Sequence, residues 1–217
     1  GTQVVMAAAA DAGVERFAFA SSNHAVGGYE TDDRTPALYR TDDEYRLTGE
    51  ELPRPGNLYG VSKATGEFLG RYYHDESGLS VVCVRIGNLT KSHPPREYER
   101  GQAMWLSHRD CAHLFDRTLQ ADYDFEIVYG ISNNDRKYYS IDRAREVLGY
   151  DPRDNSAEYT FAGDPVDGTD PSPPQTDPPV DEPVAARRRP LARSLAEAAH
   201  LPTHSARPPP SAADPPG

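Results

Sequence analysis

The residues Ser80–Ile86 have the sequence SVVCVRI, in which five of seven side chains are apolar and four are β-branched. An apolar run of this kind is typical of a strand that is buried on both faces of a parallel sheet. Two shorter apolar segments, RFAFA at 16–20 and FEIVY at 125–129, have the character of further strands. We therefore predict that all three segments belong to one parallel sheet.

Helical patterns alternate with these strands. Helices are predicted at 2–12 with Gly13 as C-cap, at 57–73, at 107–120 with a capping box from Ser107 to Asp110, and at 140–148 ended by Gly149. Residues 29–56 are polar, contain three prolines and are predicted to form a long loop. This alternation of helices and strands indicates an α/β fold with a parallel sheet.

The composition changes sharply near residue 163. All 13 Tyr, all six Phe and the one Trp precede residue 164, whereas residues 164–217 contain 14 of the 20 prolines. A segment without aromatic residues cannot bury enough apolar surface to offset the entropy that ordering costs. We expect a folded domain at 1–163 and a disordered, Pro-rich tail at 164–217.

The charge balance excludes some partners. The chain has 34 Asp and Glu against 23 Lys and Arg, and a formal net charge of −11. Nucleic acids and anionic membrane surfaces would repel such a chain, so neither is expected as a partner. The basic residues are 20 Arg and only three Lys. This composition fits a halophilic source, with GC-rich codon usage as the alternative.

Cysteine and histidine usage gives no sign of a metal site. The two cysteines, Cys83 and Cys111, are too few for a disulfide framework, and the seven histidines lack metal-ligand spacing with a fitting carboxylate. We expect no metal and a reduced, cytoplasmic environment. Neither a membrane-spanning run nor a signal peptide is recognisable. The sequence leaves open whether the chain forms a homo-oligomer.

Tyr59 and Lys63 are the first candidates for chemistry. They are four residues apart in a predicted helix and therefore lie on one face of it. A free phenol loses its proton at a pH of about 10, and a nearby ammonium stabilises the phenolate, so the pair can act as a general base toward an alcohol. Chance predicts about 0.2 such pairs in a chain of this composition. A surface helix pair is the alternative.

The second candidate group directly follows the strand predicted at 16–20. It comprises Ser21, Ser22, Asn23 and His24. Ligands of parallel α/β sheets bind just beyond the carboxyl ends of the strands, where these polar groups can hold a substrate oxygen beside the Tyr59 base. An ordinary Ser/Asn turn is the alternative. The two motifs together, in this order, favour a catalytic interpretation.

These motifs resemble those of a known family. FASSNH at 19–24 and YGVSK at 59–63 resemble the extended short-chain dehydrogenases/reductases, which have a serine at the end of a strand and a YxxxK helix. RIGN at 85–88, and an Arg followed after four residues by Trp-Leu-Ser, resemble the uronate dehydrogenases and related NAD-dependent sugar dehydrogenases of that family. The resemblance covers roughly residues 1–163 and includes loops such as PPREYERGQAMWLS.

The resemblance implies a Rossmann-like, doubly wound parallel sheet. It also implies NAD-dependent oxidation of the C1 hydroxyl of glucose 6-phosphate, a small sugar phosphate, to the lactone. The catalytic residues that it implies are Ser22, Tyr59 as base and Lys63 as its partner. Those for the cofactor are Tyr59, Lys63, Ile86 and Gly87, and those for the substrate are Ser22, Asn23, His24, Asn88 and Arg100.

Arg100 is expected to bind the anionic end of the sugar. In uronate dehydrogenases the arginine at the matching position contacts the sugar carboxylate, and a phosphate would need a planar guanidinium together with further cations. The stretch 88–100 also contains Lys91, His93 and Arg96, which stand out in an acidic chain. A solvated loop is the alternative interpretation.

The chain also departs from the family pattern. No GxGxxG or GxxGxxG occurs, so we expect that an N-terminal half-domain of about eighty residues, with the phosphate-binding Gly-rich turn, is missing. The residue that selects NAD over NADP would lie in that half. Three alternatives stay open: a uronate dehydrogenase, a nucleotide-sugar epimerase or dehydratase, and a non-catalytic fragment of such an enzyme.

Overall fold

The centre of the fold is the SVVCVRI strand. A computed structural model describes residues 1–31, 45–89, 94 and 99–159 of the chain. The helices and strands are α1 (Thr2–Asp11), β1 (Arg16–Ser22), α2 (Leu58–Ser77), β2 (Ser80–Ile86), β3 (Asn88–Leu89), α3 (Glu99–Ala103), β4 (Trp105–Leu106), α4 (His108–Gln120), β5 (Phe125–Gly130) and α5 (Asp142–Leu148). Two 3-10 helices span Asn23–Thr31 and Ser156–Glu158.

The three predicted strands form one parallel sheet in the order β1-β2-β5. The strand β2 is central in the sheet and helices cover both of its faces, so its residues from Val81 to Arg85 are all buried. Its side chains alternate between the two faces. Val81 and Cys83 pack toward α1 and α2, while Val82 and Val84 pack toward α4 and α5. The predicted doubly wound parallel arrangement is therefore confirmed.

The helix bounds lie close to the predicted ones, and Asn57, which was predicted as the first helical residue, is the N-cap instead. Asn57 caps α2, whose C-terminal end extends to Ser77, and Gly149 ends α5 with a left-handed φ of 67°. The prediction of a complete capping box at α4 is wrong. Ser107 accepts the Asp110 N–H, but the Asp110 carboxylate accepts from Ser132 Oγ and from the N–H groups of residues 153 and 154.

The described parts of the segment predicted as a long loop, residues 29–31 and 45–56, have more structure than expected. The segment begins in the 3-10 helix Asn23–Thr31, and Leu47 forms a parallel bridge with Tyr139. Val26 and Leu47 join a third core cluster with Met104, Tyr129 and Tyr139. Polar residues here are anchored by a few buried apolar side chains, which a composition-based prediction does not register. The cluster lies at the carboxyl end of β5.

Other predictions fall partly outside the described residues. The tail at 164–217 and Lys91, His93 and Arg96 lie there. Cys83 and Cys111 are both free thiols. No helix within the described ranges is long and apolar enough to cross a membrane.

Candidate active site

The candidate site lies at the carboxyl edge of the sheet. Because β1 and β2 are parallel and in register, Ser22 pairs with Ile86 and both strands end side by side. Ser22 is buried and its hydroxyl is well constrained. Its Oγ donates to Asn23 Oδ1 at 3.2 Å and accepts the His24 N–H at 3.2 Å. The serine hydroxyl therefore has a defined position where the chain leaves the sheet.

Asn23 points into the protein. It is 4% exposed, and its Nδ2 contacts the sulfur of Met104 at 3.8 Å. This contact ties the end of β1 to the segment between α3 and β4. Its role as a substrate ligand stays a prediction, and the structure gives it a clear role in packing.

Lys63 connects α2 to the end of β1. Its ammonium donates to the carbonyl of Ala20 at 2.7 Å and lies 5.4 Å from the centre of the Tyr59 ring. Tyr59 is 52% exposed, so its phenol is accessible to a ligand. The spacing of four residues therefore brings the two side chains together as predicted, and a strand carbonyl fixes the ammonium.

His24 lies between Tyr59 and the cap of α2. The rings of His24 and Tyr59 meet edge to face, with centroids 5.5 Å apart. The Nδ1 of His24 is 3.1 Å from the Nδ2 of Asn57, whose Oδ1 accepts the N–H of Gly60. The structure thus brings three of the sequence-predicted residues, Tyr59, Lys63 and His24, into one group beside Ser22.

The pKa of His24 lies below its ordinary value. Burial is the largest cause, and the positive charge of Arg100 lowers the pKa further, while the carboxylate of Glu30 partly offsets both. His24 is therefore neutral at pH 7. A neutral imidazole has one N–H donor and one acceptor nitrogen.

Gly60 permits the close approach of α2 to the loop after β1. A Cβ at this position would overlap the carbonyl oxygen of His24 and would crowd Pro55. The absence of a side chain therefore lets Tyr59, the preceding residue, lie beside the end of β1.

We expect Gly60→Ala to lower the free energy of unfolding by about 1–3 kcal/mol, the usual cost of overpacking. An alanine would otherwise stabilise a helix. Differential scanning calorimetry measures the effect. Gly27→Ala is the matched control, because its Cβ would meet nothing closer than the Gly56 nitrogen at 3.9 Å. Equal stability of both variants would show that α2 does not depend on this approach.

A buried ion pair fixes α2 to the sheet. Glu67 and Arg85 are 2% and 0% exposed, and two hydrogen bonds of 2.9 Å join them side by side. Glu67 Oε1 also accepts the hydroxyl of Ser21 at 2.6 Å, and Arg85 donates to the Tyr129 hydroxyl at 3.2 Å. Since Glu67 lies one turn beyond Lys63, the pair holds the helix that carries Tyr59 and Lys63.

A second buried group surrounds Glu30. Its carboxylate accepts hydrogen bonds from the hydroxyls of Tyr138 at 2.8 Å and Tyr139 at 2.5 Å, and from Nε of Arg100. Burial and the negative charge of Glu30 raise the pKa of both phenols, so they remain protonated donors. Arg100 is therefore held by a carboxylate of the protein, which sequence reasoning did not foresee.

The segment predicted to line the cofactor continues directly from β2. The Gly87 N–H donates to the carbonyl of Gly130, and the Asn88 N–H donates to that of Met104 at 2.7 Å. A Cβ on Gly87 would overlap the Met104 carbonyl oxygen. Ile86, Gly87 and Asn88 thus form the rim of the sheet edge next to Ser22, and their contact with a cofactor stays a prediction.

Four residues of this site were not predicted from the sequence: Glu30, Asn57, Glu67 and Arg85. The sequence does contain signals for two of them, Arg85 and Glu67. Arg85 is the one charged residue in SVVCVRI, and Glu67 continues the helical face of Tyr59 and Lys63. A charge predicted to face a parallel sheet requires a buried partner. Within the described ranges, no cluster of His, Cys, Asp and Glu could hold a metal ion.

Comparison with known proteins assigns this arrangement to a family. The model of the NAD dependent epimerase/dehydratase family matches residues 1–123, more than half of the chain. An NAD-dependent glucose-6-phosphate dehydrogenase from Haloferax volcanii is 74% identical over 167 residues, which are 77% of this chain and 64% of that protein. A uronate dehydrogenase from Pseudomonas putida is 36% identical and aligns over 73% of this chain and 53% of that protein.

Solved structures agree with this fold. A uronate dehydrogenase mutant from Agrobacterium tumefaciens, complexed with NAD, superposes with a TM-score of 0.59 at 32% identity, covering 72% of this chain and 53% of that one. The Rossmann-like fold predicted from the sequence is therefore confirmed. The chain spans between about half and two thirds of the length of these relatives.

Proposed function

Because the chain belongs to the NAD dependent epimerase/dehydratase family, we propose that it carries the catalytic residues of an NAD-dependent dehydrogenase that oxidises the C1 hydroxyl of glucose 6-phosphate to the lactone. The identity of 74% to an NAD-dependent glucose-6-phosphate dehydrogenase supports this substrate. The observation that carries the proposal is the group formed by Tyr59, Lys63 and Ser22 at the carboxyl edge of the sheet.

Tyr59 acts as the general base in this proposal. Its exposed phenol takes the proton of the C1 hydroxyl, and the Lys63 ammonium, 5.4 Å from the ring centre, stabilises the phenolate. Ala20 accepts one of the three hydrogens of the ammonium, which leaves donors on the same group for a ribose hydroxyl. Lys63 can therefore both stabilise the Tyr59 phenolate and bind a ribose hydroxyl.

Ser22 holds the reacting oxygen. Its hydroxyl lies at the end of β1, and the backbone N–H of His24 already occupies one of its acceptor positions. Rotation of the O–H from Asn23 to a substrate oxygen would place a donor on the atom that Tyr59 deprotonates. This assigns Ser22 to orientation and Tyr59 to proton transfer.

The donor set fits the nicotinamide riboside end of NAD. The residues that would hold it are Tyr59 and Lys63 on α2 and Ile86 and Gly87 at the adjoining strand end. When bound, NAD supplies the acceptor for the C1 hydride. The residues of this chain would orient the nicotinamide riboside, and Tyr59 would take the hydroxyl proton.

Arg100 is proposed to bind the phosphate of the sugar. The carboxylate of Glu30 binds the Nε of Arg100 and so orients the guanidinium. That ion pair does not involve Nη1 or Nη2. A guanidinium fixed in this way suits an anion because its planar donors match two oxygens. The positive charge of Arg100 also lowers the pKa of His24, which supports a position of Arg100 near the proposed substrate site.

We expect Arg100→Ala to raise KM for glucose 6-phosphate by about 10–100-fold, the range for one lost hydrogen bond to a charged group, and to affect KM for glucose much less. Initial rates with both sugars measure this. Glu30→Gln is the control, because it removes the tether and keeps the guanidinium. Equal rises for both sugars with Arg100→Ala would contradict phosphate binding by Arg100.

A uronate dehydrogenase is the second candidate. The observation that favours it is the 36% identity to a uronate dehydrogenase, whose substrate class also carries an anionic group. Initial rates on glucose 6-phosphate, glucuronate and galacturonate separate the two functions. A higher kcat/KM for either uronate would assign the chain to this second function.

The composition supports a setting for the enzyme. A net charge of −11 with only three Lys fits a protein that acts in the concentrated-salt cytoplasm of a halophilic cell, where an acidic surface stays hydrated. The same oxidation would place the enzyme in carbohydrate metabolism.

A further inference from the structure

Asn57 uses both ends of its side-chain amide. Its Oδ1 accepts the N–H of Gly60 at 2.8 Å, which is the N-cap bond of α2. The cap needs an acceptor, so this bond identifies the oxygen of the amide. The Nδ2 is therefore the atom that lies 3.1 Å from Nδ1 of His24.

This orientation determines the tautomer of His24. An amide nitrogen has two N–H donors and no acceptor, so the His24 Nδ1 that faces it must accept. A neutral imidazole whose Nδ1 accepts carries its proton on Nε2. A protonated imidazole would place N–H against N–H and lose the bond.

The surroundings of His24 favour the same state. The charged and titratable groups that face it are Arg100 from α3, Glu30 from the 3-10 helix, and Tyr59 from α2. Burial and Arg100 both oppose a second positive charge. Within the part of the chain that the structure describes, Nε2 has no hydrogen-bond partner, so its N–H can serve a ligand.

We propose that Asn57 is a positioning residue that locks His24 as the neutral tautomer with its proton on Nε2, so that His24 donates a hydrogen bond to the sugar and does not compete with Tyr59 as a base. The proposal rests on the proposed function for the identity of the ligand. The amide of Asn57 then both caps the helix that carries Tyr59 and determines which nitrogen of His24 carries the proton.

Asn57→Asp tests the lock directly. Aspartate caps a helix as well as asparagine does, so α2 is retained, but its carboxylate can only accept. We expect His24 Nδ1 to become protonated in this variant and the pKa of His24 to rise. Nitrogen-15 NMR of the His24 ring in the full-length protein distinguishes a protonated from an unprotonated Nδ1.

Asn57→Ser is the matched control. Its hydroxyl also caps a helix, but it removes the amide and introduces no charge. We expect an unlocked His24 with mixed tautomers in this variant. A wild-type spectrum with the proton on Nδ1, or an unchanged spectrum in Asn57→Asp, would overturn the proposal.

Activity provides a second readout. At a pH above the raised pKa of His24, where the ring is neutral with its proton on Nδ1, we expect Asn57→Asp to lower kcat/KM for the sugar by about 5–100-fold at unchanged melting temperature, the cost of leaving a buried polar group without its partner. His24→Gln, whose amide can donate from the place of Nε2, should retain at least about tenfold more activity than His24→Asn. Equal losses in these two variants would overturn the role of the Nε2 proton.

The two readouts separate this inference from the proposed function. The tautomer is measured without sugar or NAD, so a wild-type protein that locks His24 but does not reduce NAD with any sugar would refute the dehydrogenase assignment alone. An active dehydrogenase with a protonated Nδ1 would refute the lock alone.

Discussion

Replacing Tyr59 with Phe is expected to lower kcat for sugar oxidation by about 10²–10⁴-fold, the typical contribution of a general base. The substitution removes one oxygen from a side chain that is 52% exposed, so the fold should not change. The Lys63 ammonium would keep its bond to the Ala20 carbonyl and would lose the phenolate that it is proposed to stabilise. Steady-state rates in the full-length protein measure the effect.

Tyr72→Phe provides the matched control. Tyr72 lies on the same helix, three turns or more from Tyr59, and is similarly exposed at 55%. Loss of its hydroxyl should leave kcat unchanged. If Tyr59→Phe retains more than about a tenth of wild-type turnover, Tyr59 is not the base and the assignment of this site is wrong.

The largest effect on stability is expected for Glu67→Gln. This change leaves the guanidinium of Arg85, which is fully buried, without its carboxylate. Breaking a buried pair from one side typically costs about 3–5 kcal/mol, because the remaining charge is uncompensated. A loss of this size should lower Tm by about 10 °C or more in a domain of this size. Thermal and urea unfolding both test it.

Two further variants distinguish the buried pair from ordinary surface charge. Asp75→Asn breaks the exposed Arg71–Asp75 pair on the same helix and should cost no more than about 0.5 kcal/mol. Joint replacement of Glu67 by Leu and Arg85 by Met should recover most of the stability lost in Glu67→Gln, since it removes both charges. Similar losses in Glu67→Gln and Asp75→Asn would contradict the proposed role of the pair in fixing α2.

The sheet could be predicted because its signal is local. The seven residues SVVCVRI indicate a strand buried on both faces, and the structure places that strand at the centre of the described sheet with the same bounds. Gly149 marked the end of α5, as predicted. The bonds of Asp110 were not predictable, because the carboxylate is used by residues more than twenty positions away.

The site was predictable only in part, for a related reason. Tyr59 and Lys63 lie four residues apart, and the Ser22–His24 segment follows a strand, so spacing and strand order suffice to bring them together. Arg100 and Glu30 are 70 residues apart, and nothing local indicates that they form an ion pair. The partner of a buried charge is determined by tertiary packing, which a single sequence does not show directly.

The fate of the C1 hydrogen tests the proposed oxidation of glucose 6-phosphate directly. The full-length protein is incubated with NAD and glucose 6-phosphate that carries deuterium at C1, and the reduced cofactor is examined by mass spectrometry. Transfer of the C1 hydride would give NADH that contains one deuterium, and its rate of formation is expected to be about 10²–10⁴-fold lower in Tyr59→Phe than in the wild-type protein. Absence of NAD reduction with this sugar, or NADH without deuterium, would contradict the proposed oxidation.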